Sequence, residues 1–188
     1  MKRYILLLVS PFILFACSKD IDSFLLNGSP TEYKFTNADL KDGFTVDESL
    51  VDNFTLTSDY EGTKETIEVL YVGDQNMISV DTVILFFHGN GGNMNGFWKS
   101  AAKLANVGGQ HRYGVMMFDY RGFGNSTGLS ENVNSMVADA EACAQWLKEK
   151  GLTSDRFIVY GSSLGAMSSS HHAAYSIALP PSKLILEA

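Results

Sequence analysis

A serine between two glycines is the most reactive pattern in this chain. Ser163 stands at the centre of a Gly-x-Ser-x-Gly pattern that runs from Gly161 to Gly165 and directly follows the apolar residues Phe157 to Tyr160. After a buried strand, this pattern predicts a tight turn into a helix, with the serine hydroxyl raised out of the turn. Such a hydroxyl can attack an acyl carbon once a base accepts its proton. The pattern alone also occurs by chance in loops, so other segments must support Ser163 as a nucleophile.

Four apolar runs are the elements that would position this serine. A continuous apolar run is typical of a central strand in a parallel sheet, because both faces of that strand are buried. Segments with apolar residues at helical spacing separate the runs, which predicts an α/β fold with a mostly parallel sheet and helices on both faces. The strands are expected at residues 82–87, 115–118, 157–160 and 184–186, and the helices over 93–107, 130–147 and from 164 toward 178.

Shorter patterns complete the expected fold. Residues that alternate in polarity on either side of 59–62 predict a hairpin of half-exposed strands. Ser130 is expected to cap the second helix, whose exposed side would carry charged residues. Those charged residues are Asp139, Glu141, Lys148 and Glu149. Cys143 is the only cysteine besides Cys17, so an internal disulfide is not expected once Cys17 is modified.

Glycine-rich loops are expected at the carboxyl ends of the strands, where sites gather in parallel sheets. His-Gly-Asn-Gly-Gly occupies residues 88–92, and Asp-Tyr-Arg-Gly-Phe-Gly-Asn-Ser occupies 119–126. Neither loop has the third glycine of a dinucleotide fingerprint. Phe97 and Trp98 stand where a phosphate-binding loop needs Lys and then Ser or Thr. Nucleotide binding is therefore disfavoured, and we expect no cofactor and no metal.

The three loops, in this order and spacing, resemble the serine hydrolases of the α/β-hydrolase superfamily that carry His-Gly-Asn in the oxyanion loop. The resemblance covers residues 51–188 and implies hydrolysis of a carboxylic ester or a related acyl bond. It implies that Ser163 is the nucleophile and that the backbone N–H groups of Asn90 and Leu164 form the oxyanion hole. It also implies that His88 braces the oxyanion loop. Three further residues are expected to shape the second loop: Asp119, Arg121 and Ser126.

The partners of the serine are not evident in this chain. In this superfamily the acid and the histidine follow the serine in chain order, but residues 166–188 are expected to form only one helix and one strand. His171 and His172 lie on that helix, about 12 Å or more beyond Ser163, and are expected to be partly exposed. Glu187 would be an acid only in an unusual arrangement. We therefore expect the N-terminal part of a hydrolase, incomplete at the C-terminus and without a triad acid and histidine.

An alternative function comes from a different class of protein. A non-catalytic, truncated envelope lipoprotein could retain the hydrolase fold as a binding or vestigial module, and the absence of a recognisable base and acid favours it. In either case residues 43–188 are expected to form one domain, the N-terminal part of an α/β hydrolase.

The N-terminus has the pattern of an exported lipoprotein. Two basic residues precede an apolar run that ends at residue 16, which predicts a signal peptide over residues 1–16. Leu14-Phe15-Ala16-Cys17 resembles the lipobox of bacterial lipoproteins, which implies that Cys17 is lipidated with a fatty acid such as palmitate. Residues 17–42 would then be a tether. Ser18 after the cysteine is typical of lipoproteins sorted to the outer rather than the inner membrane.

The charge of the chain limits its partners. The formal net charge is −7, and removal of Lys2 and Arg3 with the signal peptide would make it −9. An acidic protein of this kind is a poor nucleic-acid binder. The expected partners are therefore a small acyl or lipid-like substrate and, through Cys17, a membrane.

Overall fold

The computed structural model describes residues 30–40 and 45–187. The predicted signal peptide 1–16, the lipidation residue Cys17 and the first part of the predicted tether lie outside the described residues. Across the two described ranges, none of the helices has the length and apolar character needed to cross a membrane.

A hairpin forms one edge of the sheet. Strands β1 (Val51–Tyr60) and β2 (Thr63–Val72) pair in antiparallel register, with Tyr60 opposite Thr63. Glu61 and Gly62 connect them with φ angles of 52° and 83°, which fit a two-residue turn that matches the twist of the strands. The hairpin predicted from the alternating residues is confirmed.

The four apolar runs form adjacent parallel strands. They are β3 (Val83–Phe87), β4 (Gly114–Phe118), β5 (Phe157–Ser162) and β6 (Lys183–Glu187). The strand order is β1-β2-β4-β3-β5-β6, and only the pairings of β1 with β2 and of β2 with β4 are antiparallel. Every residue of β3 and β4 is buried, which explains why these strands have no polar face.

Three helices cover both faces of the sheet. Helix α1 (Met94–Asn106) buries Trp98 and several alanines against one face, whereas α2 (Val133–Glu149) buries its apolar stripe against the other, beside α3 (Leu164–Tyr175). The predicted α/β fold is therefore confirmed. Short 3-10 helices lie at Asn37–Asp39, Glu48–Leu50, Gln75–Met77 and Ser154–Arg156.

Two predictions about α2 are wrong. Its N-cap is Asn132, whose side chain accepts the Ser135 N–H at 3.0 Å, whereas Ser130 donates its hydroxyl to the carbonyl of Arg121 at 2.8 Å. Asp139, expected on the exposed side, is fully buried, because it pairs with Arg121 from the loop after β4. The apolar stripe was therefore predicted correctly, but not the polar residue within it.

Residues 30–40, here named the N-terminal segment, lie against α1 although they fall within the predicted tether. The Asn95 side chain donates to the carbonyl of Glu32 and accepts the N–H of Lys34, both at 2.7 Å. Trp98 donates its indole N–H to the carbonyl of Thr36 at 2.9 Å. The side chain of Asn95 thus pairs with the segment in the way that a neighbouring strand would.

Candidate active site

Ser163 is the only residue between β5 and α3. Its φ and ψ angles are 54° and −118°, a region in which a residue with a Cβ atom is strained. The side chain is exposed to solvent, and its hydroxyl makes no hydrogen bond with any described residue. The turn predicted from the Gly-x-Ser-x-Gly pattern is therefore present, with the serine presented at its apex.

The two flanking glycines allow this turn to pack tightly. A Cβ atom on Gly165 would collide with the backbone carbonyl of Phe87, at the end of β3. A Cβ atom on Gly161 would collide with the hydroxyl of Ser169, one turn further along α3. Strand, turn and helix are thus in direct backbone contact, and any larger residue would push them apart.

The loop between β3 and α1, residues 88–93, lies beside the serine. An ideal Cβ on Gly89 would be 3.3 Å from the Cβ of Ser163. The backbone N–H groups of Asn90 and Leu164 donate to no described residue, and the Asn90 side chain instead accepts the Gly91 N–H at 2.7 Å. Within the described residues, Leu164, which follows Ser163, and Asn90 of the adjacent loop thus each have an unpaired backbone N–H, the kind of group that can stabilise a negatively charged oxygen.

His88 is fully buried at the start of this loop. Its Nδ1 contacts the carbonyl oxygen of Gly89 at 2.8 Å, and its Nε2 lies 3.1 Å from Asp119 Oδ1 without forming an aligned hydrogen bond. The ring stacks on Phe97, with centroids 5.0 Å apart. Both ring nitrogens thus face groups other than the Ser163 hydroxyl, so the geometry favours a bracing role for His88.

Asp119 joins several elements around the loop. Its Oδ1 accepts the N–H of Met94, the first residue of α1, at 2.8 Å. Its backbone carbonyl accepts the hydroxyl of Ser126 at 2.7 Å, and that hydroxyl accepts the N–H of Glu68 in β2 at 2.9 Å. Asp119 and Ser126 therefore hold the second loop against the sheet, and neither points to a catalytic role.

Arg121 and Asp139 form a buried ion pair. The guanidinium donates to both carboxylate oxygens, with the shortest distance 2.8 Å, and also donates to the hydroxyl of Ser58 at 2.9 Å. It lies over the ring of Tyr60, 5.4 Å from the centroid. Burial raises the pKa of the Asp139 carboxyl, and the hydrogen bonds from Arg121 oppose that rise. This pair ties the second loop to α2 and β1.

Aromatic residues of the second loop fill the space beneath His88. Tyr120 and Phe123 are fully buried, and their ring centroids lie 4.7 and 5.8 Å from the imidazole. Tyr120 also donates its hydroxyl to the carbonyl of His88 at 2.9 Å. Both residues are therefore packing residues of the loop and do not line an open pocket.

The expectation that His172 is partly exposed is wrong, whereas His171 is partly exposed as predicted. His172 is fully buried between Phe87 and Phe157, and its Nδ1 lies 3.0 Å from Glu141 Oε1 of α2. Burial raises the pKa of the Glu141 carboxyl, but the adjacent His172 ring, the Ser176 hydroxyl and the hydrogen bond from the Ala178 N–H outweigh burial and lower it to about 2. The pair holds α3 against α2.

Glu187 is adjacent to the serine through the backbone. Its carbonyl accepts the Ser163 N–H at 2.9 Å, while its carboxylate accepts the hydroxyl of Tyr160 at 2.7 Å. Burial and this carboxylate raise the pKa of Tyr160 to about 12, so its hydroxyl keeps its proton. The carboxylate of Glu187 is thus engaged with Tyr160.

Ser163 adjoins Leu164 and lies beside the loop that carries Asn90, but within residues 30–40 and 45–187 no base is bonded to its hydroxyl. Among the described residues, no histidine or carboxylate side chain bonds to the serine hydroxyl. The same part of the chain contains no group of three His, Cys, Asp or Glu side chains that could hold a metal.

Sequence reasoning missed Tyr33, whose hydroxyl donates to Asp119 Oδ2 at 2.6 Å, because no local pattern links residues so far apart.

Comparisons with known proteins agree with this architecture. The sequence model of a family described as alpha/beta hydrolase fold matches residues 82–184. The "Uncharacterized protein YfhR" of Escherichia coli (strain K12) is 30% identical over 83 residues, which are 44% of this chain and 28% of that protein. The "Lysophosphatidylserine lipase ABHD12" of Danio rerio is 33% identical over 116 residues, 61% of this chain and 29% of that protein. The matched region thus spans less than a third of these relatives' length.

Solved structures share the fold at low sequence identity. The esterase Pf2001 of Pyrococcus furiosus superposes with a TM-score of 0.59 at 20% identity, covering 82% of this chain and 55% of that one. A thermostable carboxyl esterase from Bacillus coagulans gives a TM-score of 0.54 at 16% identity, covering 72% of this chain and 43% of that one. At these identities the likeness concerns the arrangement of strands and helices.

Proposed function

We propose, from the premise that this chain belongs to the alpha/beta hydrolase family, that it carries the nucleophile and oxyanion hole of a serine hydrolase. The observation that supports this function best is the position of Ser163. It is exposed at the apex of a strained turn, next to the unpaired N–H groups of Asn90 and Leu164. Structural turns rarely hold an exposed serine in a strained conformation beside free backbone donors, whereas acyl transfer requires that arrangement.

The proposed reaction is hydrolysis of a carboxylic ester or a related acyl bond. The Ser163 oxygen attacks the acyl carbon, and the carbonyl oxygen becomes an oxyanion that accepts hydrogen bonds from the N–H groups of Asn90 and Leu164. The amino end of α3 adds favourable partial positive charge at this point. Collapse of the intermediate releases the alcohol and leaves an acyl-serine, which water then hydrolyses. A base must accept the serine proton in the first step and donate it to the departing alcohol oxygen; it then takes a proton from the attacking water and returns it to the Ser163 oxygen.

We further propose a lipid-like acyl substrate. The relative from Danio rerio is named as a lysophosphatidylserine lipase, and it is 33% identical to this chain over 116 residues. Attachment of this chain to a membrane through Cys17 would bring it to such substrates. The preference for long acyl chains can be measured as the hydrolysis rate of p-nitrophenyl esters of increasing acyl length. A rate for longer esters that does not exceed the rate for the acetate ester would contradict it.

A second candidate function is a non-catalytic envelope module. It is favoured by the fact that the Ser163 hydroxyl contacts no base among the described residues, so that proton removal by this chain alone should be slow. The two functions differ in what an added base does. Imidazole in solution can replace a missing histidine when a nucleophile and an oxyanion hole are in place, but it cannot create reactivity at a serine that merely shapes a turn.

Labelling with a fluorophosphonate at increasing imidazole concentration tests the proposal. We expect the labelling rate to rise with imidazole and the adduct to map to Ser163 by mass spectrometry. Ser163→Ala should abolish labelling, while Ser162→Ala, which removes the neighbouring hydroxyl, should retain it. Equal labelling of the wild type and Ser163→Ala would refute the nucleophile, and no labelling at any imidazole concentration would favour the non-catalytic module.

The proposed location is the cell envelope, with a lipid anchor on Cys17 and the outer membrane as the favoured site. Metabolic labelling with an alkyne analogue of palmitate would test the anchor. The label should be lost in Cys17→Ala and kept in Cys143→Ala, since Cys143 is buried in α2. Retention of the label in Cys17→Ala would contradict the lipobox.

A further inference from the structure

Tyr33 connects the N-terminal segment to the active-site loop. Its hydroxyl donates to Asp119 Oδ2 at 2.6 Å and accepts the backbone N–H of Asn125 at 3.0 Å. Its ring is partly buried and stacks on Phe35, which packs in turn on Trp98 of α1. Burial and the adjacent carboxylate of Asp119 raise the pKa of the Tyr33 hydroxyl far above its usual value, so the group remains a proton donor.

Asp119 holds both ends of the loop that carries Asn90. At the start of the loop, Asp119 Oδ1 lies 3.1 Å from Nε2 of His88, whose other ring nitrogen contacts the carbonyl of Gly89. At the end of the loop, the same carboxylate oxygen accepts the N–H of Met94 at 2.8 Å. The orientation of one buried carboxylate therefore sets the distance between the two ends of residues 88–93.

The other oxygen of that carboxylate depends on Tyr33. A buried carboxylate oxygen without a donor is costly, so loss of the Tyr33 hydroxyl should make the Asp119 side chain rotate or admit water. Either change moves Oδ1 relative to His88 and Met94. Because oxyanion donors must sit within a few tenths of an ångström of the developing charge, the displacement should weaken the Asn90 N–H as a donor.

We infer that Tyr33 is a positioning residue for the oxyanion loop, through which the N-terminal segment controls the geometry around Ser163. This inference rests on the proposed function for its effect on reactivity, but not for its effect on loop structure. The segment has further attachments that hold Tyr33 in place. They are the paired bonds of the Asn125 side chain with Thr31 and of the Asn95 side chain with Glu32 and Lys34.

Hydrogen exchange of the whole chain tests the structural part. In Tyr33→Phe we expect exchange in the peptide covering residues 88–94, which includes the Met94 N–H bonded to Asp119 Oδ1, to rise about tenfold or more, the factor that one lost hydrogen bond to a charged group implies. Thr36→Val is the matched control, because it deletes a hydroxyl of the same segment that bonds only to Asp39. Asn125→Ala removes the side-chain bonds to Thr31 but keeps the backbone N–H that donates to the Tyr33 hydroxyl. It should therefore give a smaller rise in exchange.

Imidazole-assisted fluorophosphonate labelling tests the part that concerns reactivity. Tyr33→Phe should lower the limiting labelling rate about tenfold while leaving the half-saturating probe concentration unchanged, because the probe site remains and only the oxyanion donor shifts. Unchanged exchange in residues 88–94, or an equal rise across all peptides, would overturn the inference. If the wild type is not labelled, the proposed nucleophile fails, while the exchange experiment still decides the role of Tyr33.

Discussion

At the serine turn, the absence of a Cβ atom on Gly161 and on Gly165 determines the backbone geometry. Gly165 contacts the carbonyl of Phe87 and Gly161 contacts the hydroxyl of Ser169, in each case at a distance that leaves no space for a Cβ atom. Ser163 itself has a Cβ and still adopts a φ of 54°. The close packing of Gly161 and Gly165 fixes where β5 and α3 meet. It therefore imposes the strained conformation on Ser163.

This packing predicts opposite effects for two Gly→Ala substitutions. Gly165→Ala should lower the free energy of unfolding by about 3 kcal/mol, because the collision is with backbone that cannot move independently. Gly96→Ala in α1, where a new Cβ meets nothing within 4 Å, should raise it by roughly 0.5 kcal/mol through helix propensity. Urea unfolding measures both. Equal effects of the two substitutions would mean that the turn tolerates a side chain.

The contact between Glu141 and His172 makes the stability of the fold sensitive to acid. The pKa of Glu141 is lowered from 4.5 to about 2, so the carboxylate contributes its full stabilisation above pH 4.5 and loses it as the pH falls toward 2. Relative to the wild type, Glu141→Gln should be about 1 kcal/mol less stable at pH 7, and the difference should shrink below pH 4.5. Urea unfolding at pH 7, 4 and 3 would measure it.

The control for this experiment is Glu149→Gln, an exposed residue on the same helix, which should change stability little at pH 7. A difference between Glu141→Gln and the wild type that is independent of pH would contradict the ionic role of Glu141. It would indicate that only the shape of the side chain matters.

At the scale of elements, the sequence predicted what depends on continuous local patterns. Strands β3, β4 and β5, the hairpin and the serine turn follow from short runs, because burial on both faces removes polar residues from a strand and a tight turn requires glycine. The apolar run of β6 also predicts a central strand buried on both faces, but that prediction is wrong for the described residues, in which β6 is an exposed edge strand. Asp139 and His172 were placed on exposed surfaces, since a single polar residue in a helix looks the same whether water or a buried partner satisfies it. Their partners, Arg121 and Glu141, lie on other elements.

The site shows the same division between local and distant information. The motifs indicated Ser163, Asn90 and Leu164 from neighbouring residues. Tyr33 has no local signature, because its partner Asp119 is 86 positions away in the sequence. The strands β1 to β4 and helix α1 lie between the two residues in the chain. Only the folded arrangement of the N-terminal segment against α1 brings them together.

The Arg121–Asp139 pair predicts how strongly the second loop is tied to α2. Asp139→Ala should lower the free energy of unfolding by about 3–5 kcal/mol, because it leaves the Arg121 guanidinium buried without its counter-charge. The double substitution Arg121→Met with Asp139→Leu should recover much of that loss, since it replaces both charges with apolar groups. Urea unfolding of the wild type, Arg121→Met, Asp139→Leu and the double variant gives the coupling energy, and Asp139→Ala is measured beside them. If the double variant is no more stable than Asp139→Ala, the pair is not an isolated unit.

At the scale of the whole molecule, the two edges of the sheet are protected to different degrees. Within the described residues, β1 forms one edge and packs against α2, which covers its inward face. Strand β6 forms the other edge, and all five of its residues are exposed. Three of them are apolar: Leu184, Ile185 and Leu186, with 39%, 45% and 53% of their surface exposed.

An exposed apolar edge strand can pair with another copy of itself, so this chain should self-associate through β6. Ile185→Lys places a charge at the centre of that edge and should shift the chain toward monomer, by a factor of ten or more in the dissociation constant if about 1.4 kcal/mol of contact is lost. Ile177→Lys is the matched control, because Ile177 is 90% exposed but lies in the loop before β6. Sedimentation velocity over a range of concentrations measures the association of both. Equal behaviour of the two variants would show that β6 is not the contact surface. A selective effect of Ile185→Lys would identify β6 as the contact surface between two copies.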